Sequence, residues 1–89
     1  MSLEFAPDAF PSLPREETRR LMNKIDWLWL NREYVTHEPL SQNLSSFYKH
    51  RLGKYRILYT YDNKTDIMRI CMVGLRDTIY KDADKRFRP

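Results

Sequence analysis

The stretch that decides the fold covers residues 47–59 and reads Phe47-Tyr48-Lys49-His50-Arg51-Leu52-Gly53-Lys54-Tyr55-Arg56-Ile57-Leu58-Tyr59. Aromatic and aliphatic residues alternate with polar ones on both sides of Gly53-Lys54, which is typical of two strands. A glycine at the first of two central positions suits a type II′ turn, so the stretch predicts a tight β-hairpin. Its register would set Leu52 opposite Tyr55 and Arg51 opposite Arg56.

The predicted hairpin would collect cations on one face of its sheet. Side chains alternate between faces, so Lys49, Arg51 and Arg56 would share one face, and Tyr48 and His50 would lie on the other. Like charges directly opposite each other destabilise a hairpin, so folding alone does not favour Arg51 opposite Arg56. An anion between them would explain the pair, because the planar guanidinium fork fits phosphate oxygens. The alternative is that both side chains extend into water at little cost.

The rest of the chain predicts an α+β fold in the order β-α-β-β-β. Pro7, Pro11 and Pro14 leave room for at most one turn of helix near residues 8–10. Apolar residues then recur every three or four positions, which indicates an amphipathic helix. We expect strands over residues 2–6, 44–52, 55–62 and 66–74, a helix over 14–33, a loop over 35–42, and a short helix or irregular tail over 76–86.

The predicted architecture is a small, mostly antiparallel sheet with the N-terminal helix packed on one face. The alternate residues from Tyr55 to Tyr61 would face that helix, and Cys71 would be a small buried residue in the last strand. A length of 89 residues predicts a single domain over residues 1–89.

Charge is unevenly distributed along the chain. Residues 1–45 carry five basic and seven acidic side chains, whereas residues 46–89 carry eleven basic and five acidic ones. This excess indicates a surface that faces a polyanion, although basic residues that only solvate exposed strands would give the same count. One cysteine and two separated histidines exclude an internal disulfide and disfavour a zinc site, so we expect no metal and no cofactor. The cysteine usage and the absence of a long apolar run favour a cytoplasmic protein without membrane association.

Residues 47–59 also resemble the second and third strands of the RelE/ParE toxin superfamily, which supplies the toxins of bacterial type II toxin–antitoxin pairs. The segment Val73-Gly74-Leu75-Arg76-Asp77-Thr78-Ile79-Tyr80 is similar to that family's closing motif, and His37-Glu38-Pro39-Leu40 to its loop before the second strand. The resemblance is specific over residues 37–80 and looser over 2–35, where only the order of strand and helix agrees. It implies a RelE-like fold whose N-terminal helical hairpin is shortened by the prolines.

The resemblance implies one of two activities. RelE-like members are ribosome-dependent endoribonucleases that cleave mRNA in the ribosomal A site, whereas ParE-like members inhibit DNA gyrase and lack the nuclease residues. The nuclease set comprises two basic residues on the second strand, an arginine on the third, an arginine in the closing motif and a tyrosine near the C-terminus. Those positions hold Lys49, Arg51, Arg56, Arg76 and Tyr80, which favours the nuclease. A degenerate member that only binds an antitoxin is a third alternative.

The implied reaction is metal-independent attack of a ribose 2′-hydroxyl on the adjacent phosphate. Such chemistry needs a general base, a general acid and cations that stabilise the transition-state charge. By resemblance, Arg56 would hold the phosphate, and Arg76 would stabilise or protonate the leaving 5′-oxygen. Tyr80 would stack on or orient a nucleobase. Lys49 and Arg51 would activate the 2′-hydroxyl and neutralise charge.

The general base stays open at this point. In RelE-like toxins the second-strand position that is commonly given the role of general base holds a lysine, whereas here it holds Arg51. Arginine does not readily release its proton, so Arg51 is a poor general base. Lys49, crowded by cations, would lose a proton more easily than an isolated lysine. His50 is the alternative base if its strand face differs from the predicted one. A histidine that is frequent in the closing motif is replaced by Leu75.

The resemblance also implies partners. A cognate antitoxin protein would neutralise the toxin, and the ribosome with its A-site mRNA would be the target whose cleavage inhibits translation. The toxin itself would be monomeric and would form a hetero-oligomer with its antitoxin.

Overall fold

The computed structural model describes residues 1–87, in which two helices pack on opposite faces of one five-stranded sheet. The strand order is β1-β5-β4-β3-β2, with β1 parallel to β5 and the other neighbours antiparallel. The α+β class with a mostly antiparallel sheet is therefore confirmed. The elements are β1 (Ser2–Phe5), α1 (Arg15–Leu30), β2 (Glu38–Pro39), a 3₁₀ turn (Gln42–Leu44), β3 (Tyr48–Leu52), β4 (Tyr55–Asp62), β5 (Ile67–Leu75) and α2 (Ile79–Phe87).

The first helix, α1, builds the larger of two apolar cores. It follows Pro14, and its first turn carries Glu16 and Glu17, which the helix dipole stabilises at an N-terminus. Its buried face packs against β4 and β5. This face presents the apolar residues that recur at helical spacing, namely Leu21, Ile25 and Leu28. The helix ends at Leu30, three residues before the predicted end, and residues 6–14 form no helix, so a single N-terminal helix replaces the helical hairpin.

The second helix, α2, covers part of the opposite face. Ile79 and Ala83 are buried against Leu58 and Met72 of the sheet and Leu44 of the 3₁₀ turn. The segment predicted as a helix or an irregular tail is thus an amphipathic helix with its own core. Within residues 1–87, neither helix has the length and apolar character needed to cross a bilayer.

The sheet departs from the predicted strands at its outer edge. Residues 42–44 form the 3₁₀ turn, and β3 begins at Tyr48 instead of Leu44, because Leu44 turns inward to the α2 core. The predicted loop over 35–42 contains β2, which pairs with β3 as an edge strand. Pro39 fits there because its missing N–H falls on an edge strand.

Strand β5 contains a bulge that the two-residue period does not predict. Leu58 lies opposite Met72, but the next residue, Tyr59, lies opposite Ile70, so Cys71 is the extra residue. Cys71 is buried, as predicted, and burial is the main cause that raises its pKa. The predicted stripe from Tyr55 to Tyr61 faces α1 and joins its core.

A polar network ties the end of α1 to the far end of the sheet. The Arg32 guanidinium donates to both oxygens of Asp66, with Nε–Oδ1 at 2.7 Å and Nη2–Oδ2 at 2.8 Å. The Tyr61 hydroxyl donates to Asp66 Oδ1 at 2.8 Å. His37 lies beside this network, 2.6 Å from the Tyr59 hydroxyl and 2.9 Å from the Arg32 carbonyl. The hydrogen bonds from Arg32, followed by that from Tyr61, lower the pKa of Asp66 to about 2.

The network predicts an acid-dependent contribution to stability from Asp66. A carboxylate whose pKa falls from 3.8 to about 2 on folding stabilises the native state above pH 4, and this contribution is lost as the pH falls through about 2. We expect Asp66→Asn to lower Tm at pH 7, and the difference from wild type to shrink between pH 4 and pH 2. Asparagine tolerates the φ of 55° at this position, so the variant tests charge and not backbone strain.

The matched control is Asp26→Asn, which removes an exposed carboxylate from α1. Its Tm should follow that of wild type at every pH. A difference between Asp66→Asn and wild type that stays constant down to pH 2 would contradict the assignment.

Candidate nucleic-acid interface

The β3–β4 hairpin places three cations on the sheet face that points away from α1. Gly53 has a φ of 56°, which the first central position of a type II′ turn requires, and the two-residue turn sets Arg51 opposite Arg56. Lys49 lies opposite Leu58, a residue of the core under α2. The predicted register is confirmed, and with it the shared face of the three cations.

Arg76 approaches the same end of the sheet from β5. Its backbone N–H donates to the carbonyl of Lys54 in the hairpin turn at 2.8 Å. Gly74, two residues earlier, lies opposite Arg56. The Arg76 side chain is 60% exposed, with Nε 3.6 Å from Asp77 Oδ1. We call this set of four side chains the basic cluster: Lys49, Arg51, Arg56 and Arg76.

The Arg56 side chain is held against its own turn. Its Nη1 donates to the carbonyl of Gly53 at 2.9 Å and to that of Tyr55 at 2.7 Å. A guanidinium has five N–H donors, so the group keeps donors for an anion. The Arg51 side chain opposite it is 66% exposed. The cluster therefore contains one arginine fixed by the hairpin and another that extends into solvent.

Sequence reasoning missed one acidic residue, Glu38, that contacts the basic cluster. Glu38 of β2 pairs with Lys49, and its Oε1 lies 3.5 Å from Lys49 Nζ and 4.0 Å from Arg51 Nη2. The carboxylate reduces the repulsion among the cations. Sequence reasoning treated the segment around Glu38 as a loop, and its pairing partner lies eleven residues away, so spacing gave no signal for the contact.

Helix α2 brings an aromatic ring to the edge of the basic cluster. Tyr80 is half-buried, and its ring centroid lies 5.8 Å from Lys49 Nζ. The neighbouring Ile79 is fully buried, which fixes the first turn of α2 against the sheet. The structure therefore brings Lys49, Arg51, Arg56 and Tyr80 to one face of the sheet, and it brings the backbone of Arg76 to the hairpin turn at the end of that sheet.

His50 lies on the other side of the sheet, as its position in the alternation predicted. Its ring centroid is 5.8 Å from that of Trp27 on α1. Burial is the main cause that lowers the pKa of His50, followed by the charges of Lys24 and His37. The sheet separates this histidine from the basic cluster.

The arrangement suits binding of a nucleic-acid backbone. Guanidinium groups bind phosphate oxygens in pairs, and a tyrosine at the edge of such a cluster can stack on a base. Among residues 1–87, no group of three His, Cys, Asp or Glu side chains is placed to hold a metal ion. The cations themselves are the groups that this face offers to a phosphate.

Comparison with solved structures identifies the fold. The chain superposes on the toxin–antitoxin complex RelBE2 from Mycobacterium tuberculosis with a TM-score of 0.72 and 24% identity, covering 84% of this chain and 96% of that chain. It superposes on the isolated E. coli RelE toxin with a TM-score of 0.65 and 21% identity, covering 94% and 95%.

A third structure is a mutant of E. coli RelE in complex with a peptide of the antitoxin RelBc. It matches with a TM-score of 0.62 and 18% identity, covering 96% of this chain and 95% of that chain. Comparison with protein-family models and with curated proteins finds no match. The RelE-like fold expected from the resemblance is therefore confirmed, and the likeness at these identities is one of fold.

The position of Glu38 predicts that its removal strengthens binding to a polyanion. Glu38→Gln keeps the size of the side chain but removes the negative charge beside Lys49 and Arg51. We expect about two- to fivefold tighter binding to single-stranded RNA at low salt, measured by fluorescence anisotropy, because one partly exposed ion pair contributes little more. The gain should disappear at high salt.

Glu16→Gln is the matched control, because it makes the same change in net charge on α1, where Glu16 pairs with Arg19. An equal gain in both variants would show that net charge, and not the basic cluster, determines binding.

Proposed function

We propose that the chain is the toxin of a type II toxin–antitoxin pair and a metal-independent endoribonuclease that cleaves mRNA in the ribosomal A site. The observation that carries the proposal is the arginine pair of the hairpin, Arg51 directly opposite Arg56, with Arg76 bonded to the same turn. The RelE-like fold supports it, because the neighbouring structures are RelE toxins, two of them in complex with an antitoxin or its peptide.

The proposed reaction is attack of a ribose 2′-oxygen on the phosphorus that follows it. The 2′-hydroxyl gives its proton to a base, the new P–O bond forms, and the bond to the 5′-oxygen breaks. The products are a 2′,3′-cyclic phosphate and a 5′-hydroxyl, which gains a proton. Negative charge develops on the phosphate oxygens and on the leaving oxygen, where fixed cations stabilise it most effectively.

The basic cluster supplies those cations in the proposed mechanism. Arg56, held by two carbonyls of its turn, would bind the phosphate in a fixed orientation. Arg76 would stabilise or protonate the leaving 5′-oxygen, and Arg51 would neutralise charge from the opposite strand. Tyr80 would stack on a neighbouring base.

We assign the general base to Lys49 rather than to His50. Lys49 lies on the face of the basic cluster beside the Tyr80 ring, whereas His50 packs against Trp27 on the other face. A base must come within hydrogen-bond reach of the hydroxyl proton, either directly or through one water molecule. The sheet between the two faces prevents this for His50 in the same substrate pose.

The proposed partners are a cognate antitoxin and the ribosome. A small nuclease with one basic face has little surface with which to order a flexible mRNA, so the ribosome would supply the geometry of the substrate. The toxin would be a cytoplasmic monomer that forms a hetero-oligomer with its antitoxin. Inhibition of translation follows from cleavage of the message.

The assignment of the basic cluster predicts the loss of toxicity in two variants. Arg56→Ala and Arg76→Ala should each lower mRNA cleavage by about 10²–10³-fold, because each removes a fixed cation from the transition state. The measurements are growth after induction and primer extension on a message after a brief induction. Tm should change little, since both groups are partly or largely exposed.

Arg19→Ala on α1 is the matched control, because it removes an exposed arginine that pairs with Glu16 far from the basic cluster. The variant should remain fully toxic, and primer extension should show cuts that are in phase with the codons of the message. Full toxicity of both cluster variants would overturn the site. Supercoiling inhibition and a DNA-damage response with intact messages would identify a ParE-like gyrase inhibitor, and an absence of toxicity in wild type would identify a degenerate antitoxin-binding protein.

The two candidate bases are separated by a second pair of variants. Lys49→Met keeps the length of the side chain but removes the amine, and we expect a loss of cleavage comparable to that of the arginine variants. His50→Gln should cleave at close to the wild-type rate, after a thermal melt has shown that it is folded. The reverse result would place the substrate on the α1 face of the sheet.

A further inference from the structure

A pocket of about 710 Å³ opens on the α1 side of the sheet, at the end opposite the Gly53-Lys54 turn. Its volume lies within the range of about 300–1,000 Å³ that is typical of small-molecule sites. The segment that follows α1 lines it together with β3, β4 and the turn between β4 and β5. Tyr48, one of its lining residues, points to the face opposite Lys49, so the sheet separates this pocket from the basic cluster.

Three aromatic rings line the pocket and are held in place. The centroid of the His37 ring lies 5.2 Å from that of Tyr48 and 5.1 Å from that of Tyr61. His37 Nε2 lies 2.9 Å from the Arg32 carbonyl, which can only accept, so Nε2 carries a proton. In the neutral ring, Nδ1 then accepts from the Tyr59 hydroxyl at 2.6 Å. Both nitrogens are used, so the orientation of the imidazole is fixed before any ligand binds.

The charged side chains around these rings leave the pocket negative. Arg32 and Asp66 neutralise each other through their two hydrogen bonds, and the Arg32 side chain is only 14% exposed. The amino-terminal ammonium group acts on the same Asp66 carboxylate. Glu33 has no ion-pair partner among residues 1–87. Asp62 Oδ1 accepts the backbone N–H of Lys64 at 2.9 Å, and its second oxygen is left for a ligand.

Aromatic rings beside uncompensated carboxylates are suited to an organic cation. The face of an aromatic ring attracts an ammonium or guanidinium group within about 6 Å of its centroid. A phosphate or a carboxylate would be repelled by the two acidic side chains. Within residues 1–87, no three His, Cys, Asp or Glu side chains are placed to hold a metal ion.

We propose that this pocket binds an organic cation, namely the ammonium or guanidinium head of an alkyl chain. The head would lie against the rings of Tyr48 and Tyr61, with Glu33 and Asp62 as its counter-charges. Such a group belongs to a free diamine or to a lysine or arginine side chain of another protein. The proposal does not depend on the ribonuclease function, because the pocket and the basic cluster lie on opposite faces of the sheet.

The direct test is an NMR titration of the isotope-labelled protein with N-acetyl-lysine methylamide. We expect saturable shifts of the ring signals of His37, Tyr48 and Tyr61, and weaker binding at high salt. N-acetyl-norleucine methylamide has the same four-carbon side chain without the ammonium group and should not shift these signals. Equal shifts with the norleucine compound, or no saturable shift at about 50 mM lysine compound, would overturn the proposal.

Putrescine, a free diamine, distinguishes the two sources of the cation. Saturable binding of putrescine or of the lysine compound to these rings supports the pocket. Tighter binding of the lysine compound identifies a protein side chain as the ligand, because only this compound carries peptide groups. Tighter binding of putrescine identifies a free diamine.

Two variants test the carboxylates. Glu33→Gln and Asp62→Asn each remove one negative charge, and asparagine still accepts the backbone N–H of Lys64. Each should weaken binding of the lysine compound by about two- to fivefold, the value of a partly exposed ion pair. Glu16→Gln is the matched control, because it makes the same change in net charge where Glu16 pairs with Arg19. An equal loss in the control would show that net charge, and not the pocket, determines binding.

A second pair of variants tests the aromatic wall. Tyr48→Phe keeps the ring and should bind like wild type, whereas Tyr48→Leu removes it and should weaken binding by about two- to fivefold. A thermal melt shows whether the leucine variant is folded, and if it is not, the carboxylate variants decide alone. A folded Tyr48→Leu with unchanged affinity, or an equal loss in Tyr48→Phe, would contradict the role of the ring. Unchanged affinity in both carboxylate variants would overturn the proposal.

Discussion

The two-residue turn at Gly53-Lys54 determines which face of the sheet packs against α1 and which face carries the cations of the hairpin. Side chains alternate along β3 and β4, so a slip of one residue in their pairing would exchange the two faces. Tyr48 and His50 would then leave the α1 side, and Lys49 and Arg51 would enter it. A φ of 56° at Gly53 fixes the turn and thereby the register. Folding and the basic cluster therefore depend on the same backbone constraint.

The electrostatic repulsion between Arg51 and Arg56 is smaller in the structure than their pairing across the hairpin suggests. Glu38 lies within 4.0 Å of both Lys49 and Arg51, and two backbone carbonyls accept hydrogen bonds from Arg56. These contacts reduce the repulsion, so the pair does not need an anion in order to fold. They leave Arg51 66% exposed, however, and a single carboxylate does not neutralise four cations. The remaining positive charge is what a phosphate would meet.

Sequence reasoning succeeded where structure depends on local pattern. The hairpin register, the face of His50, the stripe from Tyr55 to Tyr61 and the burial of Cys71 all follow from a two-residue period and one turn. The shared face of Lys49, Arg51 and Arg56 follows from the same register.

The missed features depend on contacts between distant segments. Strand β2 exists because the edge of β3 accepts a partner, and the contact of Glu38 with the cations follows from that pairing. The bulge at Cys71 changes the alternation of β5, and the sequence of that strand gives no signal for it. A pocket lined by Lys49 and Tyr80 forms only when the 3₁₀ turn and α2 meet, so neither segment predicts it alone.

The position of α2 links the apolar core under this helix to the basic cluster, because Ile79 is buried in that core and Tyr80 lies beside Lys49. Ile79 is buried close to Gly74, where a Cβ would come within 3.4 Å of the isoleucine side chain. A larger residue at position 74 would push the first turn of α2 away from the sheet. Tyr80, the next residue, would then move away from Lys49 and open the pocket that both residues line. Because Gly74 also lies opposite Arg56, this close contact with Ile79 sets the distance between the Tyr80 ring and the cations of the hairpin.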